Sequence, residues 1–198
     1  IGKLQNANDS IGVVRIDSES ELRTYWQSWQ GYTHLSTGQK VMTGFLLEEY
    51  IDGPEFSLET VQGYCQARQV LGVTAKEDFV GEGGAAFTEL AVTFPCEMTH
   101  SEIAADLIGQ ALDSLGVTCG VVHTEFRVTA SGDIKILEIN PRMAGDMLGS
   151  HAVPKATGVD TAGAIVEAAL GNELRISVRD QGAATIVGLH ATREGVFR

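Results

Sequence analysis

The chain has 198 residues, 43% of them hydrophobic, and a formal net charge of −12. That length supports one sizeable core or two small lobes, and the composition is that of a globular protein. The acidic balance, with a pI near 4.7, argues against a nucleic-acid or anionic-membrane surface, but local N–H groups and cations can still hold an anionic ligand.

There is no run of 18 apolar residues, so no membrane span is expected, and the first residues lack a signal-peptide pattern. Cys65, Cys96 and Cys119 are odd in number and far apart. They read as buried or incidental thiols of a reducing, cytoplasmic compartment, with neither a disulfide frame nor a zinc site. The chain opens at Ile1 within an apparent strand and closes on "AATIVGLHATREGVFR", a strand entering a hairpin. It is expected to be a piece of a longer protein.

In chain order, "IGVVRI" (11–16) is β-branched and alternating, so a strand. Residues 17–29 form a helix, with Ser18 as N-cap and Glu21 at capping-box spacing. "GFLLEEYI" (44–51) is an apolar strand, followed by the turn "DGP" (52–54). "EFSLETVQGY" (55–64) and "ARQVLGVTAK" (67–76) make a hairpin. "EDFVGEGGAAF" (77–87) reads as a Gly-rich loop, and "TELAVTFP" (88–95) as a strand. Residues 100–116 show period 3.6, capped by Thr99 or Ser101 and stopped by Gly116. Strands 119–129 and 133–140 form a second hairpin, and 159–171 another amphipathic helix. The expected class is α+β, with antiparallel sheets and helices packed on one side.

The second hairpin carries the chemistry. Residues two apart on a strand share a face. With the turn near Ser131–Gly132, Glu125 falls roughly opposite Glu138, and Asn140 points the same way. Two carboxylates and an amide oxygen are hard ligands that suit Mg²⁺, an ion that keeps waters and takes substrate phosphates. Arg142, just beyond, can meet phosphate oxygens or a developing oxyanion. The bland alternative is the solvated face of an edge hairpin.

The spacing Glu–(12 residues)–Glu-x-Asn-x-Arg resembles the metal site of the ATP-grasp superfamily, which includes D-alanine–D-alanine ligase, biotin carboxylase and the L-amino-acid ligases. "FLLEEYIDGPEFSLE" (45–59) resembles that family's adenine hinge followed by Gly-x-Glu. "IGK" with "NDSIGVV" (1–3 and 8–14) resembles its lysine strand and lid loop. The resemblance runs from residue 1 to about 171. It implies an ATP-grasp fold with nucleotide between a small lid lobe and a larger lobe. Residues 1–43 would be part of the lid subdomain, 44–175 the C-terminal core subdomain, and 176–198 the start of a truncated segment.

The resemblance also implies roles. Lys3 would contact the nucleotide phosphates, beneath a loop of Asp9, Ser10, Ile11 and Gly12 that is poorer in glycine than the family's. Glu48, Glu49, Tyr50 and Ile51 would form the adenine hinge, and Glu55 would bind the ribose hydroxyls. Glu125, Glu138 and Asn140 would hold Mg²⁺ or Mn²⁺, with Glu138 bridging two ions. Arg142 would stabilise the acyl-phosphate stage. His123 would face the reacting phosphate, with a structural role as its alternative. Arg142, Met143 and Gly145 lie in "RMAGD" (142–146), which resembles the acceptor-side loop of the amino-acid ligases.

The implied reaction is ATP-dependent carboxylate–amine ligation through an acyl phosphate, yielding ADP and phosphate. Its partners would be a small carboxylate and an amine such as an amino acid, with no nucleic acid and no membrane; a homodimer is compatible. The alternatives are an ATP-grasp carboxylase or formyl-phosphate-type transferase, a nucleotide-binding fragment without turnover, and a plain β-rich binding module.

Overall fold

The computed structural model describes residues 1–8, 10–35, 38–42, 44–80 and 87–188. The chain divides into two compact units, Ile1–Ile51 with Asp78–Glu89, and Asp52–Glu77 with the chain from Leu90 onward.

In the first unit, β1 (Gly2–Leu4) pairs antiparallel with β2 (Phe45–Leu47). The helix α1 (Glu19–Ser28) starts where Ser18 accepts from the Glu21 N–H. Glu21 reaches back to the N–H of Asp17, at 2.7 Å, one residue before the usual capping-box partner. Tyr25 is buried, meets Phe45 edge-on, and donates its hydroxyl to the Gly12 carbonyl at 2.9 Å. The expected strand at 11–16 reduces to one bridge between Gly2 and Val14. Ser10 and Gly12 have positive φ and sit in successive turns, so the chain cannot extend until Val13 is passed. The strand expected over 44–51 stops at Leu47, because β1 offers only three partners.

The second sheet has the order β7-β6-β3-β4-β5-β8, built from β3 (Glu55–Gln62), β4 (Gln69–Val80), β5 (Phe87–Phe94), β6 (Gly120–Val128), β7 (Ile134–Asn140) and β8 (Ala184–Val187). Residues 77–80 continue β4 rather than opening a loop, since Phe79 and Val80 favour strand; residues 81–86 lie outside the described residues. The strand read at the chain's end is β8, whose partner is β5; the hairpin expected after it falls beyond residue 188.

Alternation along β3 and β6 gives the sheet two unlike faces. Leu58, Val73, Val122 and Phe126 bury against Ala104, Ile108 and Leu112 of α2 (Ser101–Ser114). Neither Thr99 nor Ser101 caps α2; its N-cap is His100, in the left-handed region at φ 66°, with no side-chain cap bond. On the opposite face, mid-sheet positions carry charged residues instead of a helix. At one end, Val61, Leu71, Phe94 and Val121 join a second core with α3 (Val153–Thr157), α4 (Thr161–Ala169) and a π-helical turn, Leu148–Ala152. The sequence reading missed α3 and the π-turn. They are short, and only Pro154 in the first turn and Gly158 after the last mark α3. No helix among the described residues is long and apolar enough to cross a membrane.

The turn before β3 touches the β6–β7 hairpin directly. Gly53 has φ +133°, and a Cβ there would lie 2.1 Å from the Val128 carbonyl oxygen. The Val128 N–H donates to Pro54 O at 3.2 Å.

Candidate active site

The charged face is set by register. Glu55, Ser57 and Glu59 of β3 stand opposite Arg127, Glu125 and His123 of β6. On the other side of β3, Lys76 is the register partner of Glu55. These side chains form a nearly continuous chain of opposite charges. Arg127 donates Nε and Nη2 to Glu55 Oε2, at 3.0 and 2.9 Å. Lys76 Nζ reaches Glu55 Oε1 at 3.3 Å and Glu125 Oε1 at 2.8 Å. His123 lies between Glu125 Oε1, 3.1 Å from Nε2, and Glu59 Oε1, 2.7 Å from Nδ1. Ser57 donates its hydroxyl to the same Glu59 oxygen at 2.9 Å.

The network shifts two proton affinities. Burial works against the His123 charge, but hydrogen bonds to Glu125 and Glu59, with their negative charge, outweigh it and raise its pKa to about 9. Burial likewise works against the Glu125 charge, but the His123 hydrogen bond and the Lys76 cation outweigh it and lower its pKa to about 2. Glu125 is therefore held as a carboxylate, the form a metal ligand needs.

Across the β6–β7 ladder, Glu125 pairs with Glu138 and His123 with Asn140. Nearer the turn the register is Phe126 with Ile136, so Leu137 is left without a partner and forms a bulge. One extra residue reverses side-chain direction along the strand. Ile134 and Ile136 on one side of the bulge, and Ile139 on the other, all pack in the α2 core. Glu138 and Asn140 are thereby brought to the charged face, Glu138 exposed and Asn140 half-buried.

After β7 the Arg142 N–H donates to Asn140 O at 2.7 Å, while its exposed guanidinium donates Nη1 to Met143 O at 2.9 Å. Met143 packs against the second core. Gly145 is exposed, with open space where a Cβ would stand.

The remaining sequence-derived residues fall in the other unit. Lys3 forms a 2.7 Å ion pair with Glu48. Ser10 is exposed, Asp9 lies outside the described residues, and Gly12 packs against Leu4 and Trp29. Glu49 is exposed and Ile51 half-buried; the Arg15 guanidinium stacks 4.3 Å over the Tyr50 ring.

Sequence reasoning missed Glu59, Lys76 and Arg127. The alternation in "EFSLE" places Glu55, Ser57 and Glu59 on one face, a readable signal; the position of Lys76 depends on the bulge between β3 and β4. Among the described residues, no group of three or more His, Cys, Asp or Glu side chains is disposed to hold a metal ion. The donor set of this hairpin is smaller: the opposed carboxylates of Glu125 and Glu138 and the amide oxygen of Asn140. It fits Mg²⁺, which takes one or two carboxylates and completes its shell with water and phosphate oxygens.

Residues 3–150 match the ATP-grasp domain family. The chain is 32% identical to the uncharacterized protein y4rH of Sinorhizobium fredii, over 77% of this chain and 30% of that protein. It is 27% identical to D-alanine–D-alanine ligase of Pseudomonas fluorescens, over 81% of this chain and 47% of that enzyme. In structure it resembles the L-amino acid ligase from Bacillus licheniformis, with TM-score 0.69, 24% identity, and 93% of this chain covering 43% of that one. It also resembles the biotin carboxylase domain of Hydrogenobacter thermophilus 2-oxoglutarate carboxylase, solved with MgADP, ADP and bicarbonate, with TM-score 0.72, 20% identity, and 93% of this chain covering 40% of that one. The chain thus spans less than half the length of these relatives. On the match over residues 3–150, the chain belongs to the ATP-grasp domain family.

Proposed function

We propose that the chain supplies the nucleotide and metal face of an ATP-dependent carboxylate–amine ligase. The carrying observation is the pairing of Glu125 with Glu138 and of His123 with Asn140, at the strand end that leads into Arg142. Glu125, Glu138 and the Asn140 amide oxygen would hold Mg²⁺ or Mn²⁺, which would supply positive charge to offset that of the phosphates.

In this reading Lys3, Ser10 and Gly12 act on the phosphates. Glu48, Glu49, Tyr50 and Ile51 receive adenine, and Glu55 receives the ribose hydroxyls. Glu55 is already held by Arg127 and Lys76, so ribose would share a pre-oriented carboxylate. A substrate carboxylate oxygen attacks the γ-phosphorus of ATP, and ADP leaves. An amine nitrogen then attacks the acyl carbon; the carbon–oxygen bond to phosphate breaks, phosphate leaves, and the amine loses a proton. Arg142 and His123 offset charge on the transferring group, since phosphoryl transfer is catalysed mainly by positioning and electrostatics. Met143 and Gly145 leave room for the acceptor.

The similarity to an L-amino acid ligase and a D-alanine–D-alanine ligase favours an amine acceptor. The similarity to a biotin carboxylase domain keeps bicarbonate as the competing substrate. The test is phosphate release from ATP and Mg²⁺ by the full-length protein, with amino-acid pairs or with bicarbonate. Release that requires amino acids and yields a dipeptide, with one amine consumed per phosphate released, supports ligation. Release that requires bicarbonate alone replaces it with carboxylation.

A further inference from the structure

We propose that Glu59 is a positioning residue, which through His123 fixes the orientation of the Glu125 carboxylate. The inference rests on the reading of Glu125 as a metal ligand.

Glu59 is 2% exposed, in the middle of β3. At that depth it cannot itself reach a ligand arriving from solvent. A buried carboxylate is costly unless hydrogen bonds compensate it. Glu59 has two, from Ser57 Oγ and His123 Nδ1, both on Oε1. Ser57 is fully buried as well. The serine fixes the carboxylate, and the carboxylate fixes the imidazole.

His123 is 5% exposed and is gripped at both ring nitrogens, by Glu59 and by Glu125. Turning the ring over would remove Nδ1–H from Glu59 and Nε2–H from Glu125 together. The ring therefore presents one N–H to Glu125 in one direction. Lys76 binds the same oxygen of Glu125, Oε1. Two donors on one oxygen set the rotation of the carboxylate about its last bond. This is the arrangement by which partners behind a metal ligand orient it, and their loss typically weakens metal binding or activity about 10–100-fold.

The test uses Mn²⁺ with ADP, followed by electron paramagnetic resonance on the full-length protein. Glu59→Gln keeps the shape and removes the charge. We expect it to weaken Mn²⁺ binding about tenfold or more and to leave metal-free ADP affinity within about twofold. If Glu59 acts through His123, its effect must shrink to less than about twofold in a His123→Gln background, because residues acting in one chain are not additive. An undiminished effect in that background overturns the proposal. So does unchanged Mn²⁺ affinity in Glu59→Gln, with or without a lower melting temperature. Proton NMR of the metal-free wild type gives an independent reading. An exchange-protected, downfield Nδ1–H of His123 that is lost or moved in Glu59→Gln supports the positioning role, and a freely exchanging one refutes it. If the wild type shows that proton but fails to bind Mn²⁺ with ADP, the metal assignment fails and the proposal falls with it. If the wild type binds Mn²⁺ but lacks the proton, the positioning role alone fails.

Discussion

Glu138 stands opposite Glu125 because Leu137 is left out of the ladder between β6 and β7. Without that bulge Leu137 would face the charged side, and Glu138 would turn toward the α2 core. A strand whose period is two does not carry a carboxylate and its own core isoleucines on the required faces without one extra residue.

The first prediction follows from that pairing. Glu138→Gln should reduce ATP turnover at least about 100-fold, because a transition state without its metal lacks several kcal/mol of charge stabilisation. The fold should be unchanged, since Glu138 is exposed. Phosphate release and far-UV circular dichroism on the same samples check both halves. Near-normal turnover at saturating Mg²⁺ rules out the ligand role.

Lys76 bonds both Glu55 and Glu125 and is only 9% exposed in its side chain. Lys76→Met leaves two largely buried carboxylates short of a cation. Removing one partner of a buried pair typically costs about 3–5 kcal/mol. Metal-free Lys76→Met should therefore melt lower than wild type. It should also gain more melting temperature from added Mg²⁺, because an ion on Glu125 replaces part of the lost charge. Equal Mg²⁺ increments in the two proteins would show that Lys76 and the metal do not share this carboxylate.

The pH dependence of metal-free stability has a definite sign. His123, raised from 6.5 to about 9, contributes stability that is fully present below pH 6.5 and is lost as pH rises through 9. Glu125, lowered from 4.5 to about 2, contributes stability present above pH 4.5 and lost as pH falls through 2. Their joint contribution should be flat between pH 4.5 and 6.5 and should decline on either side. Denaturant melts in EDTA across pH 3 to 10 measure it. His123→Gln should remove most of the alkaline decline. A decline of the same size in that variant would assign it to other groups.

Arg142 should act on rate more than on nucleotide affinity. An interaction made mainly in the transition state lowers kcat and kcat/KM together. Arg142→Lys should be impaired, because lysine lacks the planar two-pronged donor, and Arg142→Ala more so, with ADP affinity nearly kept in both. The competing account is a loop-stabilising role, and the guanidinium does bond the Met143 carbonyl. In that case the kcat deficit should vanish once activity is corrected for the folded fraction.

Much of the site is legible in the sequence because its logic is local. Glu138 and Asn140 differ by two, and so do Glu125 and His123, so their shared faces follow from the pleat. The turn at Ser131–Gly132 nearly fixes the pairing as well, and the bulge supplies the remaining residue. Lys76 and Glu59 are harder to place. Each meets Glu125 or His123 from a different strand, 49 and 64 residues away in sequence, and local periodicity carries no information on which strands are neighbours. The segment 11–16 misleads for the opposite reason. Its residues favour strand, but the turns at Ser10 and Gly12 override that preference.

Gly53 gives the Gly-Pro-Glu turn a steric meaning. The Val128 carbonyl occupies the volume that a β-carbon would need. Any side chain at 53 would act as a wedge at the mouth of the β3–β6 ladder. The first pair inside that mouth is Glu55 with Arg127. Gly53→Ala should therefore loosen the guanidinium grip on Glu55 while leaving both partners in the sequence. The lesion would be of spacing alone, visible as faster amide exchange at Val128 and Glu55 before any loss of the distant α2 core.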